Sequence, residues 1–294
     1  MIGESKIIAV AGATGNQGGA VARKLLAAGG WKVRALTRNP DQPAARALAA
    51  RGAEVVKADL DDHHAIALAL QGAYGAFSVQ NFWKVGYDRE VYQGKTFADA
   101  ADAAGVKHFI YSSVGGADRN TGLSHFESKW QIENHLRMLD LPHTIVRPVF
   151  WMDNFSNSPH RESILEGGLS MGLRPSTRLQ MIALDDIGAF VAMAFARPQE
   201  FVGQAIEIAG DELTMPETAE ILGSVIGRSV RFVELSLEDI TRANEEWGRM
   251  LEWFNQHGYR ADISALRSLH PGLMSFEQWL RHVGWEGLGL RKVA

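Results

Sequence analysis

The sequence predicts an α/β fold, with a doubly wound parallel sheet followed by a smaller α+β C-terminal domain. Three observations lead to this prediction. Short apolar runs alternate with helix-like stretches through the first half, a glycine-rich loop follows the first of these runs, and the alternation is lost beyond Pro148. Alternation of this kind is typical of parallel sheets that helices cover on both faces.

The predicted strands of the first half are short, rich in Val, Ile, Phe and Ala, and bounded by glycine or polar residues. They comprise residues 7–11, 32–37, 54–57, 75–79 and 108–112, and a further strand follows at 143–147. Segments with Ala and Leu at helical spacing lie between them, at 18–28, 43–51, 62–71 and 87–104, and a further helix is expected at 128–139. This order of βα units predicts a doubly wound sheet.

The second half of the chain predicts the smaller domain, because chains longer than roughly 250 residues tend to divide. Residues 154–174 are loop-rich, strands are expected at 178–183, 205–209 and 230–235, and helices at 213–226 and 237–256. A further helix is expected to run to Ala196, with Asp185 or Asp186 as its N-cap. The predicted domains are residues 1–153 and 154–294, with segments such as 178–209 as candidates to return to the first sheet.

The composition gives no indication of a nucleic-acid partner or a membrane segment. Lys and Arg number 30 against 34 acidic residues, and the net charge of -4 is spread along the chain. Cysteine is absent, which excludes disulfides, thiolate metal ligands and a cysteine nucleophile. Residues 1–6 lack the basic and apolar segments of a secretory signal, and no apolar run approaches the roughly 20 residues that cross a bilayer. A cytoplasmic protein is therefore expected.

The glycines that follow the first strand predict a dinucleotide-binding loop of the Rossmann type. They have the spacing G-x-x-G-x-x-G between a strand and a helix. The first permits a tight turn, the second lets a pyrophosphate approach the backbone, and the third lets the helix pack close to the strand. The helix N-terminus attracts an anion, and this context favours cofactor binding over an ordinary turn. The predicted contacts are Gly12, Thr14, Gly15, Gly18 and the amide groups of Asn16 and Gln17.

The residues after the second strand favour NADP(H) over NAD(H). An acid at that position would bind the ribose 2′-hydroxyl and repel a 2′-phosphate, but the sequence has Thr37-Arg38-Asn39 instead. Arg38 can donate two charge-assisted hydrogen bonds to a phosphate, and Thr37 and Asn39 can add polar contacts. The alternative is that Arg38 is an ordinary solvated cation. Asp59 and Leu60, after the third strand, are expected beside the adenine, unless Asp59 only caps the next helix.

A metal site has little support in the sequence. The run Asp61-Asp62-His63-His64 could suggest one, but consecutive residues point in different directions on a helix. The run is better interpreted as the N-terminus of a helix with an aspartate cap. No His-Glu-x-x-His arrangement is present for a zinc hydrolase. We therefore predict no metal.

Several segments together resemble the NmrA-like family, an atypical branch of the short-chain dehydrogenases/reductases. They are the Gly12 loop, Arg38, His-Phe-Glu-Ser-Lys at 125–129 and Arg-Pro-Val-Phe-Trp-Met-Asp-Asn at 147–154, and the likeness spans nearly the whole chain. The resemblance implies NADP(H) binding. It also implies either a sensor of the NADPH/NADP ratio that associates with a regulatory protein partner, or a reductase of quinones, aryl dyes or plant phenylpropanoids. A homodimer is expected from the same resemblance.

The resemblance also assigns residues to the nicotinamide end of the cofactor. The segment that ends the fourth strand is similar to one that faces the nicotinamide ribose, and Lys129 would hold that ribose. In the superfamily a serine at the end of the fifth strand positions a substrate carbonyl, and a tyrosine stands four residues before the lysine. This chain has His125 in place of the tyrosine. The residues implied are Val79, Gln80, Asn81, Phe82, Ser112, Lys129, Asn154, and Phe150 and Trp151 at the border of the nicotinamide.

The sequence leaves open whether the protein is an enzyme. His125 and Lys129 are the predicted catalytic proton donors, and the alternative is that they are packing or solvated residues. The lead interpretation is a redox sensor whose loops at 81–88 and 153–174 order over the cofactor. The second is an NADPH-dependent reductase of a quinone-like or other aromatic compound. Its substrate pocket would be lined by Phe82, Trp83, Trp151 and Phe155.

Tryptophans in the C-terminal helices are the remaining candidates for a binding surface. They stand at positions 247, 253, 279 and 285. We interpret them as core of the smaller domain, with a partner-binding groove as the alternative, because exposed aromatic anchors give the same pattern.

Overall fold

The computed structural model describes residues 6–157 and 160–288. By its internal contacts the chain divides into two compact units. The first comprises the described residues up to Arg147 together with Ile187–Ile206, and the second comprises Pro148–Asp186 and the residues from Glu207 onward. The division into domains at residues 1–153 and 154–294 stays a prediction. The segment 1–5, which bears on a secretory signal, lies outside the described residues.

The strands of the described residues form three sheets. In chain order they are β1 (Lys6–Val10), β2 (Trp31–Thr37), β3 (Glu54–Lys57), β4 (Ala73–Ser78), β5 (His108–Ser112), β6 (His143–Pro148), β7 (Phe150–Trp151), β8 (Gly168–Met171), β9 (Arg178–Ile182), β10 (Ala205–Ile208), β11 (Asp211–Thr214) and β12 (Arg231–Glu234). The main sheet has the order β10-β6-β5-β4-β1-β2-β3, and the smaller sheets have the orders β11-β9-β7 and β12-β8.

Helices connect most of these strands. In chain order they are α1 (Asn16–Ala28), α2 (Pro43–Ala50), α3 (His63–Leu70), α4 (Phe82–Val85), α5 (Tyr87–Ala103), α6 (Ser124–Leu136), α7 (His160–Glu166), α8 (Leu184–Ala196), α9 (Pro198–Phe201), α10 (Met215–Ile226), α11 (Leu237–Ala243), α12 (Glu245–Gln256), α13 (Ile263–Leu269) and α14 (Phe276–His282). Short 3₁₀ turns lie at Ala117–Arg119 and Met152–Ser156. No helix among the described residues is both long and apolar enough to cross a membrane.

The order of the main sheet reverses at β1, which lies between β2 and β4. β1 is parallel to both neighbours, and the pairs β2–β3, β4–β5 and β5–β6 are parallel as well. The chain winds outward from β1 first to β3 and then, on the other side, to β6, which confirms the predicted doubly wound α/β fold. Such sheets bind ligands in the crevice at the carboxyl ends of the strands where the order reverses. Here those ends are Val10 and Ser78.

The central strands of the main sheet are buried on both faces. Ile8, Ala9 and Val10 are all fully buried, and so is every residue of β5. Consecutive burial is expected of parallel strands that helices cover on both sides. It explains why these strands read as continuous apolar runs rather than as an alternating pattern.

Helices α5 and α6 pack closely, because a glycine lies where they meet. A Cβ atom on Gly94 of α5 would lie 2.4 Å from Cδ1 of Ile132 of α6, well inside van der Waals contact. Gly94 stands one helical turn after Glu90, and Ile132 stands one turn after Ser128. The close approach of the two helices at Gly94 therefore places Glu90 opposite Ser128 as well.

Several aromatic side chains contact one another in the core of the second unit. The ring of Phe155 lies 5.9 Å from that of Phe150 and 5.3 Å from that of Phe276, measured between centroids. The tryptophans predicted as core residues at positions 253, 279 and 285 are buried, which confirms that interpretation for them. Trp247 is only partly buried.

Two predicted helices differ from the structure. The helix predicted at 128–139 runs from Ser124 to Leu136, so it begins four residues earlier and ends three residues earlier than expected. The helix predicted at 237–256 is interrupted at Asn244, which separates α11 from α12. Oδ1 of Asn244 accepts a hydrogen bond from the N–H of Trp247 at 3.1 Å, so the asparagine caps α12.

The loop-rich interpretation of residues 154–174 is wrong in part, because α7 and β8 lie there. Strand β8 pairs with β12, which stands far along the chain, so the local sequence carries little signal for it. Residues 81–88 likewise contain the short helix α4.

Two helix starts are also corrected. Helix α8 begins at Leu184, so Asp185 and Asp186 lie in its first turn and neither is its N-cap. Helix α10 begins at Met215 rather than at 213, because Thr214 is its N-cap and accepts a hydrogen bond from the N–H of Glu217. Carboxylates in the first turn still stabilise α8 through the helix dipole.

Candidate functional site

The glycine loop forms a tight turn between β1 and α1. Gly12 has a φ of +60°, a conformation that favours glycine, and its carbonyl oxygen accepts a hydrogen bond from the N–H of Gly15 at 2.8 Å. A Cβ atom on Gly18 would lie 2.4 Å from that same oxygen. The predicted structural roles of Gly12 and Gly18 are therefore confirmed, since one makes the turn and the other lets α1 approach the end of β1.

The N-terminus of α1 offers N–H groups that no side chain caps. Its N-cap is Gly15, and its first turn contains no acidic residue. A Cβ atom on Gly15 would lie 3.3 Å from the carbonyl oxygen of Gly12, so the turn is tight there. Asn16 is exposed and Thr14 is half-buried. With the helix dipole, this end of α1 is suited to hold a phosphate.

The side chain of Gln17 is buried and contacts the end of β5. Its Oε1 accepts a hydrogen bond from the hydroxyl of Ser112 at 2.5 Å. The sequence predicted cofactor contacts for both residues but not this contact between them. Ser113, the next residue, is buried as well, and its hydroxyl oxygen has no hydrogen-bond partner among the described residues.

A glutamine that the sequence analysis did not single out joins the glycine loop to the end of β2. Nε2 of Gln42 donates hydrogen bonds to the hydroxyl oxygens of Thr14 and Thr37, both at 2.9 Å. The N–H of Asn39 donates to the same Thr37 oxygen at 3.3 Å. Gln42 stands directly before Pro43, the first residue of α2. That position, close to the end of β2, is the signal that could have identified it.

Arg38 directly follows β2, and its side chain is exposed. Within 6–157 and 160–288, no hydrogen bond or ion pair engages its guanidinium group. The strand end itself carries no carboxylate, since Thr37 and Asn39 flank the arginine. Arg38 is therefore available to an external phosphate, although an ordinary solvated cation would have the same surroundings.

Asp59 and Leu60 follow β3 and are half-buried. Oδ1 of Asp59 accepts a hydrogen bond from the N–H of Asp61 at 3.2 Å. The N-cap of α3 is Asp62, whose Oδ1 accepts from the N–H of Ala65 at 3.0 Å. The alternative that Asp59 caps this helix is therefore wrong, and its contact with adenine stays a prediction.

The two aspartates of the run at 61–64 have structural partners, since Asp61 forms an ion pair and Asp62 caps a helix. Asp61 accepts hydrogen bonds from Nε of Arg89 and from Nε2 of Gln93, both at 3.0 Å, and the Arg89 contact holds the pKa of Asp61 below its usual value. The aspartate that follows is the cap of α3, as predicted. In the described part of the chain, no group of three or more His, Asp or Glu residues is arranged to hold a metal ion.

The segment that follows β4 carries a buried amide. Nε2 of Gln80 donates to the hydroxyl oxygen of Ser78 at 2.9 Å, whereas its Oε1 is buried and has no hydrogen-bond partner in the residues described. Val79 lies against the glycine loop, since a Cβ atom on Gly12 would lie 3.4 Å from its Cγ1. Asn81 is exposed and is the N-cap of α4. A buried acceptor without a donor is a group that a ligand can satisfy.

His125 is packed among aromatic rings. Its ring centroid lies 4.7 Å from that of Phe126, 5.1 Å from that of Trp83 and 5.7 Å from that of Phe82, and the residue is 6% exposed. Trp83 is itself 55% exposed, so one face of this group of rings meets solvent. We call these four residues the His125 cluster. It joins the predicted catalytic histidine to two of the aromatic residues predicted to line a substrate pocket.

The ammonium of Lys129 is paired with the buried carboxylate of Glu90. Nζ donates to Oε1 of Glu90 at 2.7 Å, and the hydroxyl of Ser128 donates to Oε2. The side chain of Glu90 is 0% exposed and that of Lys129 is 13% exposed. Glu90 looks in the sequence like one of several charges on a helix, so it was not singled out. An ammonium has three N–H donors, and Lys129 therefore retains donors for a second acceptor.

Tyr111 of β5 is a buried tyrosine of the first unit. Its hydroxyl has no hydrogen-bond partner among the residues that the structure describes. Burial, together with the charges of two buried glutamates, raises the pKa of Tyr111 well above its usual value. One of these glutamates, Glu133, accepts hydrogen bonds from Nε and Nη2 of Arg147 at 2.9 and 2.7 Å. Tyr111 is thus held as a neutral phenol inside the core.

The site residues predicted in the second unit lie at its start. Phe150 is buried, and its ring contacts Phe155 within the core of that unit. Trp151 ends β7, and Asn154 lies in the 3₁₀ turn that follows; both are partly buried. Contact of these three residues with a nicotinamide stays a prediction.

A sequence pattern typical of hydrolases also occurs in the chain, at residues 168–172. Residues 168–172 read Gly-Leu-Ser-Met-Gly, which matches the Gly-x-Ser-x-Gly pattern of hydrolase nucleophiles. Ser170 lies within β8, however, where it pairs with Val233 of β12. A nucleophile elbow requires a sharp turn between a strand and a helix, so this segment does not form one.

Comparison with known proteins places these features in a family. The family model for the NmrA-like family matches residues 4–280. An NmrA-like family domain-containing oxidoreductase, FrzB, of a Cladobotryum species is 34% identical over 252 residues, which cover 77% of this chain and 75% of that protein.

Solved structures share the fold over almost the whole chain. NmrA, a negative transcriptional regulator solved in complex with NADP and separately with NAD, aligns with a TM-score of 0.78 at 22% identity, and 95% of each chain is covered in both cases. An NADPH-dependent quinone oxidoreductase of Escherichia coli, complexed with NADPH, aligns with a TM-score of 0.80 at 24% identity, covering 94% of this chain and 99% of that one. The family match spans both units of the structure, and the chain therefore belongs to the NmrA-like family.

Proposed function

We propose that this protein binds NADP(H), with the pyrophosphate at the N-terminus of α1 and the 2′-phosphate at Arg38. The observation that carries the proposal is the glycine loop. Gly12 makes the turn with its positive φ, and Gly18 lets α1 begin close to β1, where a Cβ atom would clash. The uncapped N–H groups of α1 therefore lie at the end of β1, where the strand order of the sheet reverses. The lack of an acid after β2 and the exposure of Arg38 favour the phosphorylated dinucleotide.

Two buried polar atoms near the carboxyl ends of β4 and β5 support the same site. Oε1 of Gln80 and Oγ of Ser113 are buried without hydrogen-bond partners in the described residues. Buried polar groups are rarely left unpaired, so these atoms are candidates to bind the cofactor. Bound NADPH would supply a hydride, while these residues would hold and orient the dinucleotide.

The biological role that we propose is that of a redox sensor or regulator which responds to the NADPH/NADP ratio. In the first unit, the groups that could protonate a substrate already contact other side chains. The hydroxyl of Ser112 donates to Gln17, the ammonium of Lys129 donates to Glu90, and His125 is packed among rings. This arrangement favours binding over turnover. A regulatory protein partner, a homodimer and a cytoplasmic location stay predictions.

The second candidate is an NADPH-dependent reductase of a quinone-like or other aromatic compound. It is favoured by the His125 cluster, in which the 55% exposed Trp83 offers a flat apolar surface. The similarity to an oxidoreductase at 34% identity points the same way. Engaged proton donors do not exclude this activity, because a reduced quinone can take its protons from water.

Two measurements on the purified protein test these proposals. Calorimetric titration with NADPH, NADP+ and NADH should show tighter binding of the phosphorylated forms, and absence of heat with NADPH would reject the cofactor site. Oxidation of NADPH should then be followed with quinones, enones and azo dyes as acceptors. A sensor binds NADPH without turnover, whereas rapid oxidation with one acceptor would reject a purely regulatory role.

A further inference from the structure

The carboxylate of Glu90 is fully buried, which is unfavourable in free energy unless it has partners. It is 0% exposed, and burial of an ionised carboxylate is strongly unfavourable unless it is paired and hydrogen-bonded. Both oxygens are satisfied from α6, one by Lys129 and the other by Ser128. Gly94 makes this possible, because it lets α5 and α6 approach closely one turn further along.

The pair that Glu90 forms with Lys129 is electrically neutral but still has donors to offer. Lys129 uses one N–H on Oε1 at 2.7 Å and keeps 13% of its side chain exposed. It can therefore bind a neutral hydroxyl without bringing an uncompensated positive charge to the place where it binds. This is a different arrangement from that of Glu133, whose carboxylate is shared by two guanidinium groups.

We propose that Glu90 sets the relative affinity of the protein for oxidised and reduced cofactor by cancelling the charge of Lys129. The inference rests on the proposed binding of NADP(H) and on the expectation, from the family resemblance, that Lys129 holds the nicotinamide ribose. The ring of NADP+ is cationic and that of NADPH is neutral, so an unpaired ammonium would repel the oxidised form alone. With Glu90 ionised beside it, Lys129 holds both forms, and the ratio of their affinities is fixed by this buried pair.

The experiment compares Glu90→Gln, Ser128→Ala and the double variant Glu90→Gln with Lys129→Met. Dissociation constants are measured by calorimetry for NADP+, NADPH and 2′-phospho-ADP-ribose, which has no nicotinamide. We expect Glu90→Gln to weaken NADP+ relative to NADPH by roughly 5-fold, the scale of a partly screened repulsion between two unit charges. The double variant, which has no charge at either position, should return the ratio to within about 2-fold of the unmodified protein.

Two controls separate this effect from damage to the fold. Ser128→Ala removes a hydrogen bond to Glu90 but no charge, so it should leave the ratio unchanged. Affinity for 2′-phospho-ADP-ribose, which keeps the ribose but has no nicotinamide, should be unchanged in Glu90→Gln and Ser128→Ala, because both variants retain Lys129. A parallel loss for NADP+ and NADPH in Glu90→Gln, or a shifted ratio that persists in the double variant, would overturn the inference.

Lys129→Arg supplies a second test that does not depend on the folding of Glu90→Gln, because it keeps a cation beside the buried carboxylate. The charge balance is then retained, and the ratio should stay within about 2-fold of that of the unmodified protein. A clearly shifted ratio in this variant would also overturn the inference. Failure of the unmodified protein to bind NADPH would instead reject the proposed function, so the two failures are distinguishable.

Discussion

The hydroxyl of Ser112 donates a hydrogen bond to Oε1 of Gln17 at 2.5 Å, and both side chains are buried. Gln17 lies in the first turn of α1, where the pyrophosphate is proposed to bind, and Ser112 ends β5, where a substrate carbonyl would be positioned. The contact therefore joins the two ends of the proposed site. The hydroxyl proton of Ser112 is engaged in this hydrogen bond and is not available to a substrate. Catalysis through Ser112 would therefore require Gln17 to move.

Removal of this hydroxyl is expected to destabilise the protein. Ser112→Ala leaves the buried Oε1 of Gln17 without its donor, and we expect the free energy of unfolding to fall by about 1 to 3 kcal/mol. Urea denaturation measures the difference. Ser113→Ala is the matched control, because the Ser113 hydroxyl oxygen has no hydrogen-bond partner among the described residues and its removal should change stability far less. Equal losses in the two variants would show that the contact with Gln17 is unimportant.

The choice of dinucleotide is expected to depend on Arg38. Arg38→Ala removes a charged donor from the end of β2, and we expect binding of NADPH to weaken by about 1.5 to 3 kcal/mol, the scale of a charged hydrogen bond. Binding of NADH, which has no 2′-phosphate, should be nearly unchanged, and calorimetry measures both. Arg46→Ala provides a control, since Arg46 is an exposed arginine on the neighbouring helix α2. Equal losses for NADPH and NADH would contradict the assignment.

The parts of the fold that the sequence predicts well are those with local signals. The strand limits 54–57 and 108–112 agree with β3 and β5, and the turn at Gly12 was expected from glycine spacing alone. Such features depend on residues within one βα unit. Their physical cause can therefore be read from a short window of sequence.

The contacts that organise the proposed site are not local. Ser112 and Gln17 are 95 residues apart, Lys129 and Glu90 are 39 apart, and Gln42 and Thr14 are 28 apart. Each pair forms because the sheet or the α5–α6 packing brings distant segments together. Glu90 illustrates the difficulty, because a glutamate in the first turn of a helix is ordinarily a solvated charge, and only the close approach at Gly94 buries it.

Stability is expected to fall in acid because of His108. Its side chain is buried, and burial, with the charge of the nearby His143, lowers its pKa to about 4 from 6.5. The unfolded chain therefore binds a proton first as the pH falls. The stability difference is absent above about pH 6.5, develops between pH 6.5 and 4, and amounts to about 3 kcal/mol at the lower limit.

This pH dependence is measured from urea denaturation at a series of pH values. His108→Gln should lower stability above pH 6.5 through the loss of its hydrogen bond with Thr144, and it should remove the part of the decline between pH 6.5 and 4 that belongs to His108. His63→Gln, at an exposed position in α3, should leave the decline unchanged. The same slope in His108→Gln and the unmodified protein would contradict the prediction.

The roles of His125 and Lys129 as proton donors can be tested if an acceptor supports turnover. General acid catalysis contributes about 10² to 10⁴-fold, so loss of the true donor should lower kcat, measured at saturating NADPH, by at least about 10²-fold. His125→Ala is the direct test for the histidine. Lys129→Ala alone would leave Glu90 buried without its cation, which destabilises the fold, so Lys129→Met is better combined with Glu90→Gln. Glu90→Gln alone is the control, because it removes the carboxylate but keeps the ammonium of Lys129. A loss of kcat in the double variant that is absent from this control is due to the ammonium. Full turnover in both His125→Ala and the double variant would mean that neither residue donates the proton, and water would then be the source.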